Sequence, residues 1–252
     1  LLAQQPADVG AEPIPLAGRF LQPRVEPEVA FVLKRPLRGP GVTVHEAIAA
    51  VDFVLPALEI VDSRIADWKI SIVDTVADNA SSGGLVLGST PTPLHEVDLR
   101  LGGCVFRRNG QVVGTGAGGA VLGSPLSSLV WLANTVGALG TALEAGWVVL
   151  PGAITAMQPV AAGDTFTATF GGLDDGQRQA RFTAPAHGAL DDLRGWQHLV
   201  RRDTRFLPVD GFKAMVVEEM LDILGREQGQ PIPFVIALEL AADTGGVLVA
   251  RL

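Results

Sequence analysis

The sequence predicts an α+β protein in which short β-strands dominate and a few helices flank them. Three observations lead there. Thirty glycines and seventeen prolines with no tyrosine describe a turn-rich chain. Short apolar segments recur between those turns, and only a few stretches carry apolar residues at helical spacing. Residues 1–19, with Pro6, Pro13 and Pro15, read as a loop segment. Strands are expected at Glu28 to Leu33, Phe53 to Val61 and Gly103 to Arg107. Between the first two, VTVHEAIAAV (42–51) has helical spacing and begins at a candidate Thr43 cap. Asn109-Gly110 is a type I′ hairpin signal. SPLSSLVWLANTVGAL (124–139) reads as the longest core helix, with Ser124 as N-cap and Pro125 at its first position. WVVLPGAIT (147–155) reads as a strand ending in a Pro-Gly turn, and DTFTATFGGL (164–173) alternates like a half-buried strand. No internal repeat is visible.

Composition narrows the function classes. With 48% hydrophobic and 18% charged residues, the chain can form a sizeable core. A formal charge of -8 without a basic cluster argues against a nucleic-acid partner. The one cysteine, Cys104, rules out an intrachain disulfide framework and fits a reducing, cytoplasmic setting. No apolar segment is long enough for a bilayer, and the N-terminus has no signal-peptide pattern. The start at Leu1 is expected of a fragment or processed chain.

The chemistry-bearing residues are acids next to apolar strands. Glu26 and Glu28, spaced i, i+2, project to one face of a strand just before the apolar run 29–33, and Glu59 lies near the end of a second such run. Ionised carboxylates in such surroundings need a compensating cation or donors. Together the three read as a hard-cation site for Mg²⁺ or Mn²⁺. The alternative is a solvated edge strand with no ion. VDTVADNASS (73–82) gathers Asp74, Thr75, Asp78, Asn79, Ser81 and Ser82 in one turn-prone stretch, readable as a site or as an Asx- or Ser-capped turn. GTGAGGAVLG (114–123) lacks the βαβ setting of a dinucleotide loop and reads as a glycine-rich turn. Asp62 and Arg64 are expected to form a local ion pair, Trp68 and Lys69 to pack at a rim, and His45, His95, His187 and His198 to face solvent.

Four segments in order, QPRVEPEVAFVL (22–33), LEIVDSRIADWKISIVDTVADNASSG (58–83), GAGGAVLGSPLSSLVWLANTVG (116–137) and LPGAITAMQPVAAGDTFTATFGGL (150–173), resemble the 2-hydroxypentadienoate (2-keto-4-pentenoate) hydratases and 4-oxalocrotonate decarboxylases of meta-cleavage pathways. These belong to the fumarylacetoacetase-like superfamily. The resemblance implies a mixed β-roll or distorted barrel with short flanking helices. It implies one Mg²⁺ or Mn²⁺ held by Glu26, Glu28 and Glu59, with the remaining positions open to water and the substrate's 2-oxo acid end. It places Asp78, Asn79 and Ser81 at the catalytic pocket, and Gly152 and Thr155 against substrate.

The implied reaction is hydration of 2-hydroxypenta-2,4-dienoate, or a close analogue, to a 4-hydroxy-2-oxo acid. Decarboxylation of 4-oxalocrotonate is the near alternative, and a non-catalytic truncated subunit beside the pathway enzymes is a third. A homo-oligomer is implied, with Trp131 and the apolar face of helix 124–139 as possible contacts, as is association with the partner decarboxylase or hydratase. Two departures stand out. The family's long N-terminal region, with its Gly-Trp-Lys-type strand and active-site lysine, has no counterpart in residues 1–25. Residues 184–252 continue beyond the matching core 20–183 as an unassigned α/β segment, with a helix-like run at 212–228 and a strand-like PFVIALEL (233–240).

Overall fold

A computed structural model describes residues 20–88 and 90–173, together with the backbone of 179–183 and 236–238. The chain runs β1 (Arg24–Leu33), α1 (Val44–Ala50), β2 (Val51–Val61), α2 (Ile72–Ala77), β3 (Ser82–Leu87), β4 (Gly103–Arg108), β5 (Gln111–Ala117), α3 (Pro125–Ala138), β6 (Val148–Leu150), β7 (Gln158–Pro159), β8 (Thr165–Phe170), β9 (Gln179–Thr183) and β10 (Ile236–Leu238). One sheet has the order β10-β6-β1-β2-β3 with β7 also on β1, the other β5-β4-β8-β9, and the described strand pairs are antiparallel.

The long central strands β1 and β2 are buried on both faces, which is why they read as near-continuous apolar runs rather than alternating ones. One face, with Val25, Phe31, Leu33, Val54, Leu58 and Ile60, shares a core with Cys104, Phe106, Phe166, Ala168 and Phe170 of the second sheet. Ala30, Leu55, Ala57, Leu85, Val148 and Leu150 form a separate apolar cluster on the other face. By strand alternation this is also the face that carries Glu26, Glu28 and Glu59. The second sheet alternates more plainly: β8 buries Phe166, Ala168 and Phe170 and leaves the threonines between them half-buried.

Helices form where the chain supplies caps. Thr43 and Glu46 make a reciprocal capping box at α1. Ser124 accepts from the Leu126 amide and Pro125 opens α3, which buries Leu129, Leu132, Ala133 and Val136 at i, i+3, i+4, i+7. The Asn109-Gly110 turn has both residues at positive φ, 52° and 80°, as a type I′ hairpin requires.

Several expectations need correction. The stretch 73–82 is not all turn, because α2 runs to Ala77 and β3 starts at Ser82. Gly114 to Ala117 belong to strand β5, and only 118–123 turn. The glycines there serve close packing: a Cβ on Gly116 would sit 2.3 Å from the Ile154 carbonyl oxygen. The strand read at 147–155 ends, as expected, at its Pro-Gly turn, with Leu150 its last residue. Pro151 lacks an N–H for the ladder and Gly152 turns away at φ 128°. Loop 1–19, the helix-like run 212–228, and His187 and His198 lie outside the described residues. Of the strand expected at 233–240, Ile236–Leu238 pair with β6.

Candidate metal centre

The β1–β2 register assembles the acidic site. Glu26 and Glu28 stand two residues apart on β1, and Glu26 faces Glu59 directly across the ladder. One carboxylate oxygen from each of the three lies within 4.8 Å of the others. Hard divalent ions hold oxygen ligands at about 2.0–2.6 Å, so two ligands of one ion stand at most about 5 Å apart. The observed spread fits a single such ion. The solvated-edge alternative does not describe this strand, since β1 lies between β2 and β6 and Glu28 and Glu59 are only 2% and 3% exposed.

The electrostatics show how incomplete the site is by itself. Burial pushes Glu26 up to about 7, with Arg24 pulling the other way. Burial and the Glu26 charge push Glu28 up to about 8, against the Gly152 amide, which donates to Glu28 Oε2 at 2.8 Å. Burial and both neighbouring carboxylates hold Glu59 well above its ordinary range, with the Ser82 hydroxyl favouring ionisation. Glu59 Oε1 is buried without a hydrogen-bond partner. A buried carboxylate oxygen with no donor is costly unless a cation takes the place. An all-oxygen set suits Mg²⁺, Mn²⁺ or Ca²⁺ over softer metals.

A cavity of about 730 Å³ opens on the triad. Beyond the acids its wall is mostly apolar, with Trp68, Ile70, Val121, Leu122 and Met157, plus Thr75, Ser81 and the Pro151-Gly152 turn. Seven described non-glycine residues have positive φ, and Trp68, Ala80, Ser81 and Leu122 of these line the cavity. Such backbone costs about 1–3 kcal/mol per residue and persists only where the surroundings enforce it. Around Asn79, Ala80 and Ser81 the enforcing groups are visible. Asp78 accepts from the Arg64 amide at 3.0 Å and from the Ser81 hydroxyl at 2.9 Å, with the Arg64 Nε at 3.5 Å. Arg64 also donates to the Ser82 carbonyl at 2.9 Å.

The residues singled out in the sequence thus separate. Glu26, Glu28, Glu59, Ser81 and Gly152 meet at the cavity. Asp78 stands behind the wall, reaching it through Ser81, and Asn79 opens the left-handed turn without lining the cavity. Thr155 packs beside Gly114, its hydroxyl 3.4 Å from the Ala156 carbonyl, outside the lining residues. The expected Asp62–Arg64 pair is replaced: Arg64 turns to Asp78, while Asp62 accepts the Leu21 and Gln22 amides and ties the approach to β1 onto the end of β2. Trp68, placed at a rim by the sequence, is a wall residue with Arg24 stacked over it at 4.3 Å. Nothing in its spacing marks it, whereas Arg24 precedes Glu26 by the same two residues that separate the glutamates, a spacing that places it on their face of β1. Lys69, His45 and His95 are exposed. Cys104 is buried, its thiol pushed up to about 12, and is no nucleophile.

A model of the fumarylacetoacetate (FAA) hydrolase C-terminal family matches residues 4–181. A 2-keto-4-pentenoate hydratase from Paraburkholderia xenovorans is 53% identical over 163 residues, 65% of this chain and 60% of that protein. A 4-oxalocrotonate decarboxylase from Pseudomonas putida is 45% identical over 164 residues, 65% of this chain and 61% of that protein. Among solved structures, 4-oxalocrotonate decarboxylase from Pseudomonas putida G7, complexed with magnesium and adipate, superposes with TM-score 0.61 at 42% identity, covering 66% of this chain and 61% of that one. The chain therefore spans about three fifths of the length of these relatives.

Proposed function

Because the chain belongs to the fumarylacetoacetate hydrolase family, we propose that it is a divalent-metal-dependent hydratase acting on 2-hydroxypenta-2,4-dienoate or a close analogue in aromatic meta-cleavage catabolism. The observation that carries this reading is the convergence of Glu26, Glu28 and Glu59 with one oxygen of Glu59 buried and unpartnered. Bound there, Mg²⁺ or Mn²⁺ supplies a Lewis acid for the 2-oxo acid end of the substrate.

The chain's own groups do the rest. The Gly152 amide fixes the Glu28 carboxylate, and glycine's tolerance of φ 128° lets that N–H point at it. Ser81 is the wall hydroxyl bonded to Asp78, so the pair forms a proton path between the cavity and a carboxylate held by Arg64. Asn79, at the head of the same left-handed turn, sets the direction from which Ser81 enters the wall. Thr155 packs against Gly114 of β5, three residues after the Gly152 turn, and is retained as a substrate-side residue of the proposal. The apolar wall shields a hydrocarbon tail while water adds at C4.

The hydratase-named relatives at about half identity support hydration. Decarboxylation of 4-oxalocrotonate is the second reading, favoured by the solved relative that carries magnesium and the diacid adipate. Small-molecule chemistry in the cytoplasm, as a homo-oligomer associated with the partner enzyme of the pathway, completes the proposal. Among the described residues no helix is long and apolar enough to cross a membrane.

The test is turnover with Mg²⁺ or Mn²⁺, following loss of the dienol absorbance. Formation of 4-hydroxy-2-oxopentanoate supports the hydratase, and CO₂ release from 4-oxalocrotonate supports the decarboxylase. Metal binding with neither product supports a non-catalytic subunit.

A further inference from the structure

We propose that Arg24, at the edge of this cavity beside Trp68, is a substrate-binding residue, its guanidinium receiving an oxygen of the C1 carboxylate of a 2-oxo acid bound at the triad. The inference rests on the triad holding a divalent ion. Arg24 stands two residues before Glu26 on the same face of β1, about 7 Å along the strand. Its cross-strand partner Val61 and its stacking partner Trp68 line the cavity, while Arg24 stands next to them outside the lining residues, close enough for its charge to act on Glu26.

The arginine is held and yet uncommitted. Its guanidinium lies 4.3 Å from the centre of the Trp68 ring, and among the described residues it makes no ion pair or hydrogen bond. Trp68 is itself fixed. Its Nε1 donates to the Gln22 carbonyl at 2.9 Å, and its backbone sits in the left-handed region with Asp67. A guanidinium stacked on an aromatic face keeps its in-plane N–H groups available for a carboxylate. Charge balance calls for one. Three carboxylates around one divalent ion leave a negative charge in excess, so an anionic substrate approaches a site that repels it. Arg24, whose charge acts on Glu26, is a cation positioned to offset that repulsion.

The experiment is calorimetric titration of the wild-type chain, Arg24→Gln and Arg24→Lys, first with Mn²⁺ and then, at saturating Mn²⁺, with pyruvate. For Arg24→Gln, Mn²⁺ affinity should hold or tighten, because a positive charge beside the triad is gone. Pyruvate affinity should fall about 10- to 100-fold, the loss expected for a charge-assisted hydrogen bond. Arg24→Lys should recover part of it. Equal pyruvate affinity in Arg24→Gln overturns the proposal. So does a parallel loss of Mn²⁺ and pyruvate binding, the mark of a collapsed Trp68 wall. A wild-type chain that binds no Mn²⁺ sinks the triad reading and this inference together, a result distinct from the others.

Discussion

Glu28 and Asp164 are both buried carboxylates, and the protein treats them in opposite ways. Asp164 is surrounded by donors: Arg108 at 2.6 Å, the Asn109 amide at 2.8 Å and the Ala161 N–H at 2.7 Å. These outweigh its burial, and its carboxyl is held below the usual range. Glu28 has one backbone donor and two carboxylate neighbours, and its carboxyl is pushed up to about 8. The first arrangement ties the β4–β5 hairpin to the start of β8 and is complete. The second leaves room for a cation among its oxygens. An acid that the fold has already paired is structural, whereas acids gathered without partners mark where something else is meant to bind.

Removing a ligand should break this contrast most sharply. Glu28→Gln should lower Mn²⁺ affinity by more than about 100-fold, beyond the usual cost of losing a supporting contact around a metal. The circular-dichroism spectrum and the melting temperature of the metal-free protein should not fall, since the substitution removes a buried charge that lacked compensation. The matching change on the other side, Asp164→Asn, should cost about 2–3 kcal/mol of stability, read by urea unfolding, because it strands Arg108. It should leave Mn²⁺ affinity untouched.

The pH dependence sharpens the comparison next. Glu26 and Glu28 have folded values of about 7 and 8 against an ordinary 4.5, so between those limits the folded state holds protons that the unfolded state has released. The stability of the metal-free protein should therefore fall as pH rises from about 5 to 8, by up to about 1.4 kcal/mol per pH unit for each proton retained. Asp164 works in the reverse sense, because its lowered value gives stability that is present at neutral pH and lost as pH falls through the acid range. Mn²⁺ affinity should rise over pH 5–8 as the ion displaces those protons, measurable as proton release on binding. The smallest effect should come from Arg64→Gln. It frees Asp78 and loosens the left-handed turn at Asn79 to Ser81, lowering Mn²⁺ affinity by less than about 10-fold through Ser82 and Glu59.

Local signals in the sequence carried much of this architecture. Thr43 and Ser124 cap their helices as read, and Asn109-Gly110 makes its hairpin, because each depends on residues a few positions apart. The Glu26–Glu28 spacing declared a common face for the same reason. What stayed hidden is long-range. β3, built from SGGLVL, has weak strand propensity and exists through its pairing with β2. The direct opposition of Glu26 and Glu59 follows from strand register, which no local pattern specifies. Arg64 chose Asp78, fourteen residues away, over nearby Asp62, because Asp62 is occupied by the Leu21 and Gln22 amides. Arg24 and Trp68 meet only once β1 and the loop after β2 are folded.

The central claim, that three glutamates from two neighbouring strands enclose one divalent ion, is tested most directly by anomalous diffraction from a crystal soaked with Mn²⁺. The account predicts a single strong peak within bonding distance of Glu26, Glu28 and Glu59, lost in Glu59→Gln. A peak that leaves Glu59 uncoordinated, or no peak between these side chains at saturating Mn²⁺, contradicts it.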